Sequence, residues 1–269
     1  MKKCTVFYVS DSTGITAEDF GKSLLTQFDE YQFEGRMYPF ITDEKKIENV
    51  ISAVNYQSTI DEVSPLVFST LVDEKLSAVL ENSNALVFSL YTAKIKKIEQ
   101  VLKTTASHKI GKFHSTGELI DYKKRINTIN YALNSDDGMN TKKYDEADII
   151  LLGASRSGKT PTCVYLAMHF HLKAANYPIV EQDLEQAKLP RELLKYKNKC
   201  FGLTIKPKIL CKIRQERYPD SKYAKLDQCQ YEIKQVENIY KKYNINYIDT
   251  SKISIEEIST KICKNMKKL

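Results

Sequence analysis

Apolar residues in this chain follow two rhythms. Short continuous runs, of the kind that make strands buried on both faces, occur at residues 5–9, 66–69, 148–152 and 201–205. Within 173–180 a tight connection feeds another such run, and Tyr247-Ile248-Asp249 forms a last short one. Between them, apolar positions recur three and four residues apart. Examples are Phe20, Leu24 and Phe28; Ile126, Ile129 and Leu133 (with Tyr122 before them); Ile233, Val236, Tyr240 and Tyr243; and Ile255, Ile258 and Ile262. That spacing predicts amphipathic helices. Further helices are expected near 43–54 and 73–80. Tyr91, Ile95, Ile98 and Leu102 extend one helix over 83–103, although 85–90 taken alone also fits a strand. Thr16, with Asp19 three residues on, reads as the cap of the first helix, and Ser254 as that of the last. Strands alternating with helices predict an α/β protein with a mainly parallel sheet covered on both faces. The polar, glycine-containing stretch 104–114 suggests a division into an N-terminal α/β domain, 1–110, and a second domain, 111–269.

The strand at 148–152 runs into Gly153-Ala154-Ser155-Arg156-Ser157-Gly158-Lys159-Thr160, which fits G-x-x-x-x-G-K-[ST] at every position. The following stretch, 161–168, reads as a helix, with Pro161 in the first turn where a missing N–H costs least. Strand, loop and helix thus come in the order of a phosphate-binding loop. Gly153 and Gly158 give backbone freedom and close approach, the loop N–H groups converge on an anion, Lys159 serves the terminal phosphates, and the Thr160 hydroxyl is the expected Mg²⁺ ligand. The second domain is therefore expected to be P-loop kinase-like.

Two other loops carry candidate chemistry. Ser10-Asp11-Ser12-Thr13-Gly14 follows the first strand, where open parallel sheets bind ligands; its plain reading is turn and capping chemistry. Asp136-Asp137-Gly138 reads as a turn, or as carboxylates that hold a metal or act as a base.

Composition narrows the classes. Of 269 residues, 42% are hydrophobic and 28% charged, an ordinary globular balance, and no run is long enough to span a membrane. The start, Met1-Lys2-Lys3-Cys4, does not lead into a signal-peptide core, so a cytoplasmic protein is expected. The six cysteines include no C-x-x-C pair, which argues for reduced structural thiols. The net charge of +7 is concentrated: residues 191–225 hold eleven Lys/Arg against three acids. Such a patch suits a phosphorylated substrate or an acidic partner, and nothing in it resembles a nucleic-acid module. The four histidines form neither a triad nor a metal set.

Ser10-Asp11-Ser12-Thr13-Gly14-Ile15-Thr16-Ala17-Glu18, the loop 153–160 with Pro161-Thr162, the stretches 173–178 and 201–205, and Ile213-Arg214-Gln215-Glu216-Arg217 together resemble the bacterial kinase–pyrophosphorylase family that regulates phosphoenolpyruvate synthetase and pyruvate, phosphate dikinase. The closing helix, 254–261, is similar too. Departures are Ser135, where the family has a histidine before the Asp-Asp-Gly turn, His171 for a glycine, Lys206 for an acid and Lys222 for an arginine. The resemblance implies a bifunctional enzyme: an ADP-dependent, Mg²⁺-assisted kinase of a target threonine, and a phosphorylase that uses phosphate to remove that group as pyrophosphate. Its expected partner is one of the two target enzymes, with the synthetase favoured, and a homodimer is a reasonable default. Lys159, Asp136 and Asp137 are the expected catalytic residues, with Asp249 a rival acid. Ser10, Asp11, Thr13, Arg214, Arg217 and Lys222 are the candidates for a second phosphate pocket. Rival readings are an ADP sensor without chemistry and an ATP-dependent small-molecule kinase.

Overall fold

The computed structural model describes residues 2–109 and 118–266, with the backbone alone for 118–122. The chain divides into two compact units, Met1–Thr116 and Gly117–Leu269.

The first unit runs β1 (Lys2–Val9), α1 (Ile15–Leu25), β2 (Tyr31–Tyr38), α2 (Glu44–Gln57), β3 (Leu66–Ser69), α3 (Glu74–Glu81), β4 (Leu86–Ser89) and α4 (Thr92–Leu102). Its sheet has the order β2-β1-β3-β4, all parallel. Alternate residues of β1 face opposite sides. Phe7 and Val9 pack with Ile47, Val50 and Val54 of α2, whereas Val6 and Tyr8 pack with Ala17 and Leu25 of α1.

Three expectations fail here. Thr16 does not cap α1: the helix starts at Ile15 behind Gly14, which takes a left-handed φ of 83°, and no side chain caps it. Its buried face is Ala17, Gly21 and Leu25, while Phe20, Leu24 and Phe28 stay exposed. The reason is space, since a Cβ on Gly21 would lie 2.7 Å from both Phe68 and Tyr8; the sheet supplies the bulk and the helix the gap. The helix expected over 83–103 is a strand followed by a shorter helix. Leu86–Ser89 pairs in register with Leu66–Ser69, and a hydroxyl cluster of Ser77, Ser89 and Thr92 closes the strand-to-helix turn. Strand β2 lacked a clear pattern because it is an edge strand with intermediate or exposed side chains throughout.

The second unit contains α5 (Glu118–Asn134), β5 (Ile149–Gly153), α6 (Lys159–Phe170), β6 (Ala174–Pro178), α7 (Glu181–Gln186), α8 (Arg191–Leu194), β7 (Cys200–Thr204), α9 (Pro207–Arg217), α10 (Leu226–Tyr243), β8 (Tyr247–Asp249) and α11 (Ile255–Met266). The side chain of Tyr122, expected on the inner face of α5, lies outside the described residues. Strand order is β6-β5-β7-β8, again all parallel. Strand β5 is buried throughout. Ile150 and Leu152 join Ile233, Val236 and Tyr240 of α10 in one cluster, and Ile149 and Leu151 join Leu166, Ile258 and Ile262 in the other. The chain leaves β5 towards β6 and returns on the other side at β7. The loop after β5 therefore sits where strand order reverses, at the carboxyl edge where such sheets bind ligands. Ser254 Oγ accepts the Glu257 N–H, the cap expected for α11. Among the described residues no helix is long and apolar enough to cross a membrane.

Candidate functional site

The phosphate loop needs its glycines for two different reasons. A Cβ on Gly153 would lie 2.7 Å from the Leu203 carbonyl and 2.6 Å from Ser157 Oγ, so only glycine lets β5 end this close to β7. Gly158 has open space around it but a φ of 92°, the left-handed conformation that starts α6. Arg156 is also left-handed, at 74°. Between them the Ser157 N–H returns to the Ala154 carbonyl at 3.3 Å, and Thr250 Oγ1 reaches the Ser157 carbonyl at 3.3 Å.

Lys159 is the first residue of α6 and only 4% exposed. Its Nζ donates to the Ala154 carbonyl at 3.1 Å. Burial lowers its pKa to about 8, a fall that Asp137 and then Asp136 oppose. An ammonium has three donors, and a single carbonyl occupies one of them. Ser157 Oγ is buried in the loop without a partner. A buried cation short of acceptors, at the start of a helix whose first N–H groups lack side-chain caps, fits the phosphate groups of a nucleotide.

The carboxylates come to the same place. The Thr160 hydroxyl donates to Asp136 Oδ1 at 2.8 Å. Asn176 of β6, fully buried, donates its Nδ2 to the same oxygen and accepts the Asp137 N–H on its Oδ1 at 3.0 Å. Its backbone is fixed as well, by Ser135 and by the buried Tyr144 hydroxyl. Asp137 takes a left-handed φ of 47°, which turns the short 3-10 segment Asp136–Gly138 across the end of β6. Asp136 is half-buried and Asp137 exposed. Thr160 and Asp136 offer hard oxygen donors side by side, a set that suits Mg²⁺ completed by phosphate oxygens and water. Ser135, in the position where the resembled family has histidine, is 1% exposed. Asp249 accepts both the N–H and the hydroxyl of Ser251, which occupies it in a local turn.

Arg214 does not face a substrate. It is 0% exposed, and its guanidinium is spent on the protein: NH1 and NH2 on Glu232 at 3.1 and 2.7 Å, NH1 on the Tyr223 carbonyl at 3.0 Å, and NH2 on the Ser155 carbonyl at 3.0 Å. The Tyr223 ring stacks on it at 3.9 Å while its hydroxyl reaches Ser155 Oγ at 2.8 Å. Arg214 therefore supports the phosphate loop from behind. Arg217 is exposed and lies over the Tyr218 ring. Lys222, largely exposed, stands 3.8 Å from Glu181 at a cavity of about 390 Å³ whose walls include Ser155, Ile179, Tyr223 and Glu232. Ser10, Asp11 and Thr13 line a different cavity, within the first unit.

Sequence reasoning missed Asn176, Tyr223, Glu232 and Thr250. Only Asn176 left a trace, as an amide in the middle of a buried strand. His171 explains itself: it is the C-cap of α6 at φ 54°, a conformation that favours glycine. His169 stacks on Tyr165, His108 lies 3.6 Å from Glu99, and His114 falls outside the described residues.

A loop of the pattern G-x-x-x-x-G-K-[ST] between a parallel strand and a helix, with a buried lysine and a carboxylate beside its threonine, defines a class of α/β proteins. Comparison narrows the class. A sequence model of the kinase/pyrophosphorylase family matches residues 6–263. A protein of Marinobacter nauticus is 46% identical over 97% of this chain and 96% of its own length; one from Pseudomonas aeruginosa is 44% identical over 97% and 95%. A third, from Stutzerimonas stutzeri, is 43% identical over 97% and 96%. All three carry the provisional name phosphoenolpyruvate synthase regulatory protein. The chain belongs to the kinase/pyrophosphorylase family.

Proposed function

We propose that this protein transfers the β-phosphoryl group of ADP to a threonine of phosphoenolpyruvate synthase, switching it off, and that it reverses the modification with inorganic phosphate. The observation that carries the reading is the convergence of Lys159, Thr160 and Asp136 on the mouth of one phosphate loop. The target follows the name carried by the relatives.

In the forward direction the threonine oxygen bonds to the β-phosphorus, the bridging P–O bond breaks, AMP leaves and the hydroxyl proton passes to a carboxylate. In reverse, a phosphate oxygen attacks the phosphothreonine phosphorus, pyrophosphate forms and the threonine alkoxide takes up a proton. Both directions place negative charge over the same loop. Its N–H groups and Lys159 stabilise that charge before reaction begins, which is where electrostatic catalysis gains most. Asp136 and Thr160 would hold Mg²⁺, which supplies charge neutralisation between the phosphoryl oxygens when bound. Asp137, exposed beside them and fixed through its own N–H, is the base that receives the threonine proton. With Arg214 committed to the fold, Lys222 at the cavity beside Ser155 is the cation left to receive the second phosphate there.

The test is direct. Purified protein is incubated with phosphoenolpyruvate synthase, ADP and Mg²⁺, and the target is weighed. One added phosphate on a threonine, removed by inorganic phosphate with pyrophosphate released, is the expected result. Tight ADP binding with no transfer to this target or to pyruvate, phosphate dikinase would overturn the reading in favour of a sensor.

A further inference from the structure

The first unit has a cavity of its own, about 370 Å³, at the carboxyl edge of its sheet. The chain leaves β1 towards β2 and returns at β3, so the loops after β1 and β3 flank the point where strand order reverses. Both loops line the cavity. Asp11 ties them together by accepting the Val72 N–H at 2.8 Å. This carboxylate is 5% exposed, and burial raises its pKa.

Several polar groups face this cavity. Thr70 is only 3% exposed, lines the cavity, and has no hydrogen bond to its hydroxyl. That hydroxyl faces the cavity and is open to a ligand there. Helix α1 starts at the same place with no side-chain cap, so the N–H groups of its first turn are free for an anion. The hydroxyls of Ser12, Thr13 and Thr16 line the cavity, and Lys109 contributes a cation. Val72, Tyr91 and Ile95 give the lining an apolar part. The volume is at the lower end of small-molecule sites, about 300–1,000 Å³, and leaves room beyond a phosphate group for a short carbon body.

We propose that this cavity binds a small phosphomonoester, its phosphate held by the N-terminus of α1, Thr70 and Lys109, and its carbon body set against Val72, Tyr91 and Ile95. The inference does not rest on the transfer chemistry assigned to the phosphate loop. A regulatory ligand at such a site would give the enzyme a second input besides its nucleotide.

The test uses the full chain carrying Lys159→Ala, which removes the lysine of the other phosphate-binding site and keeps the two readings separable. Amide resonances of residues 12–16 and 70–72 are followed by NMR as glycerol 3-phosphate, inorganic phosphate, glycerol or a phosphothreonine peptide is added. Saturable shifts are expected with glycerol 3-phosphate, weaker binding with phosphate, and none with glycerol. Thr70→Val should weaken binding about tenfold, the loss of one hydrogen bond to a charged group. Lys109→Ala, at an exposed position, should also weaken it and checks the result should Thr70→Val fold poorly. No saturable shift at these amides, equal binding of glycerol, or binding of the peptide alone would overturn the proposal.

Discussion

Arg214 donates to the backbone carbonyl of Ser155 at 3.0 Å, so a fully buried guanidinium fixes the outer wall of the phosphate loop. The same group is paired in a fork with Glu232, itself 12% exposed on the side chain. The pair's value to the protein is geometric: it joins α9, α10 and the loop into one piece.

Arg214→Ala should therefore act on both stability and binding. Removing one partner of a buried pair costs about 3–5 kcal/mol, because the other charge is left without compensation. Chemical denaturation should show that loss. Arg214→Lys keeps the charge but not the fork, and should bind ADP more weakly in titration while remaining folded. An Arg214→Lys protein with unchanged ADP affinity would show that the Ser155 contact is idle.

Asn176 is the second positioning residue. Asn176→Ala removes the amide that holds Asp136 and the Asp137 N–H, leaving the loop itself intact. The expected outcome is a fall in kcat of about a hundredfold, as for a catalytic group misplaced by an ångström, with a much smaller change in ADP affinity. Equal losses in both would mean that Asn176 merely supports the fold.

Lys159 makes the protein's response to pH specific. Its pKa is about 8 in the folded chain against an ordinary 10.5, so between those values the unfolded chain binds more protons. Stability therefore rises with pH across that window, and the buried charge costs most below pH 8. Lys159→Met should stabilise the nucleotide-free protein at pH 7 by on the order of 1–3 kcal/mol, seen as a higher Tm, and the gain should shrink as pH climbs from 8 to 10.5. Bound phosphate would raise the lysine's pKa. ADP binding should then take up a proton above pH 8, seen in calorimetry as a heat that depends on the buffer.

The two loop glycines should respond differently. Gly158→Ala meets no neighbour and carries only the strain of a left-handed residue, about 1–3 kcal/mol. Gly153→Ala drives a methyl into the Leu203 carbonyl and should displace the loop, abolishing ADP binding. Denaturation midpoints and ADP titrations of the two variants separate these effects.

The extent to which the site was legible follows from the range of its interactions. Residues 153–160 announce themselves because loop, strand and helix are contiguous, and their geometry is set within about a dozen positions. Nothing local distinguishes a buried arginine from an exposed one, so the sequence offers Arg214 as a phosphate or substrate contact. Its partner lies eighteen residues on, and its third contact is in the loop at Ser155. The buried face of α1 is hidden for a similar reason: Phe20 and Leu24 keep a helical rhythm, but Phe68 and Tyr8 from separate strands fill the space that a side chain at Gly21 would need.

Sequence alone thus determined what depends on neighbours along the chain: the alternation of strand and helix, the parallel α/β class and the phosphate loop with its lysine and threonine. Tertiary structure decided what depends on distant residues meeting. It set Asp136 against Thr160 through Asn176, turned Arg214 inward against Glu232, and opened a cavity at Thr70 between the loops after β1 and β3. Periodicity records which face of an element is apolar, but not which side chains another element brings to it; burial and pairing are settled only when those elements pack.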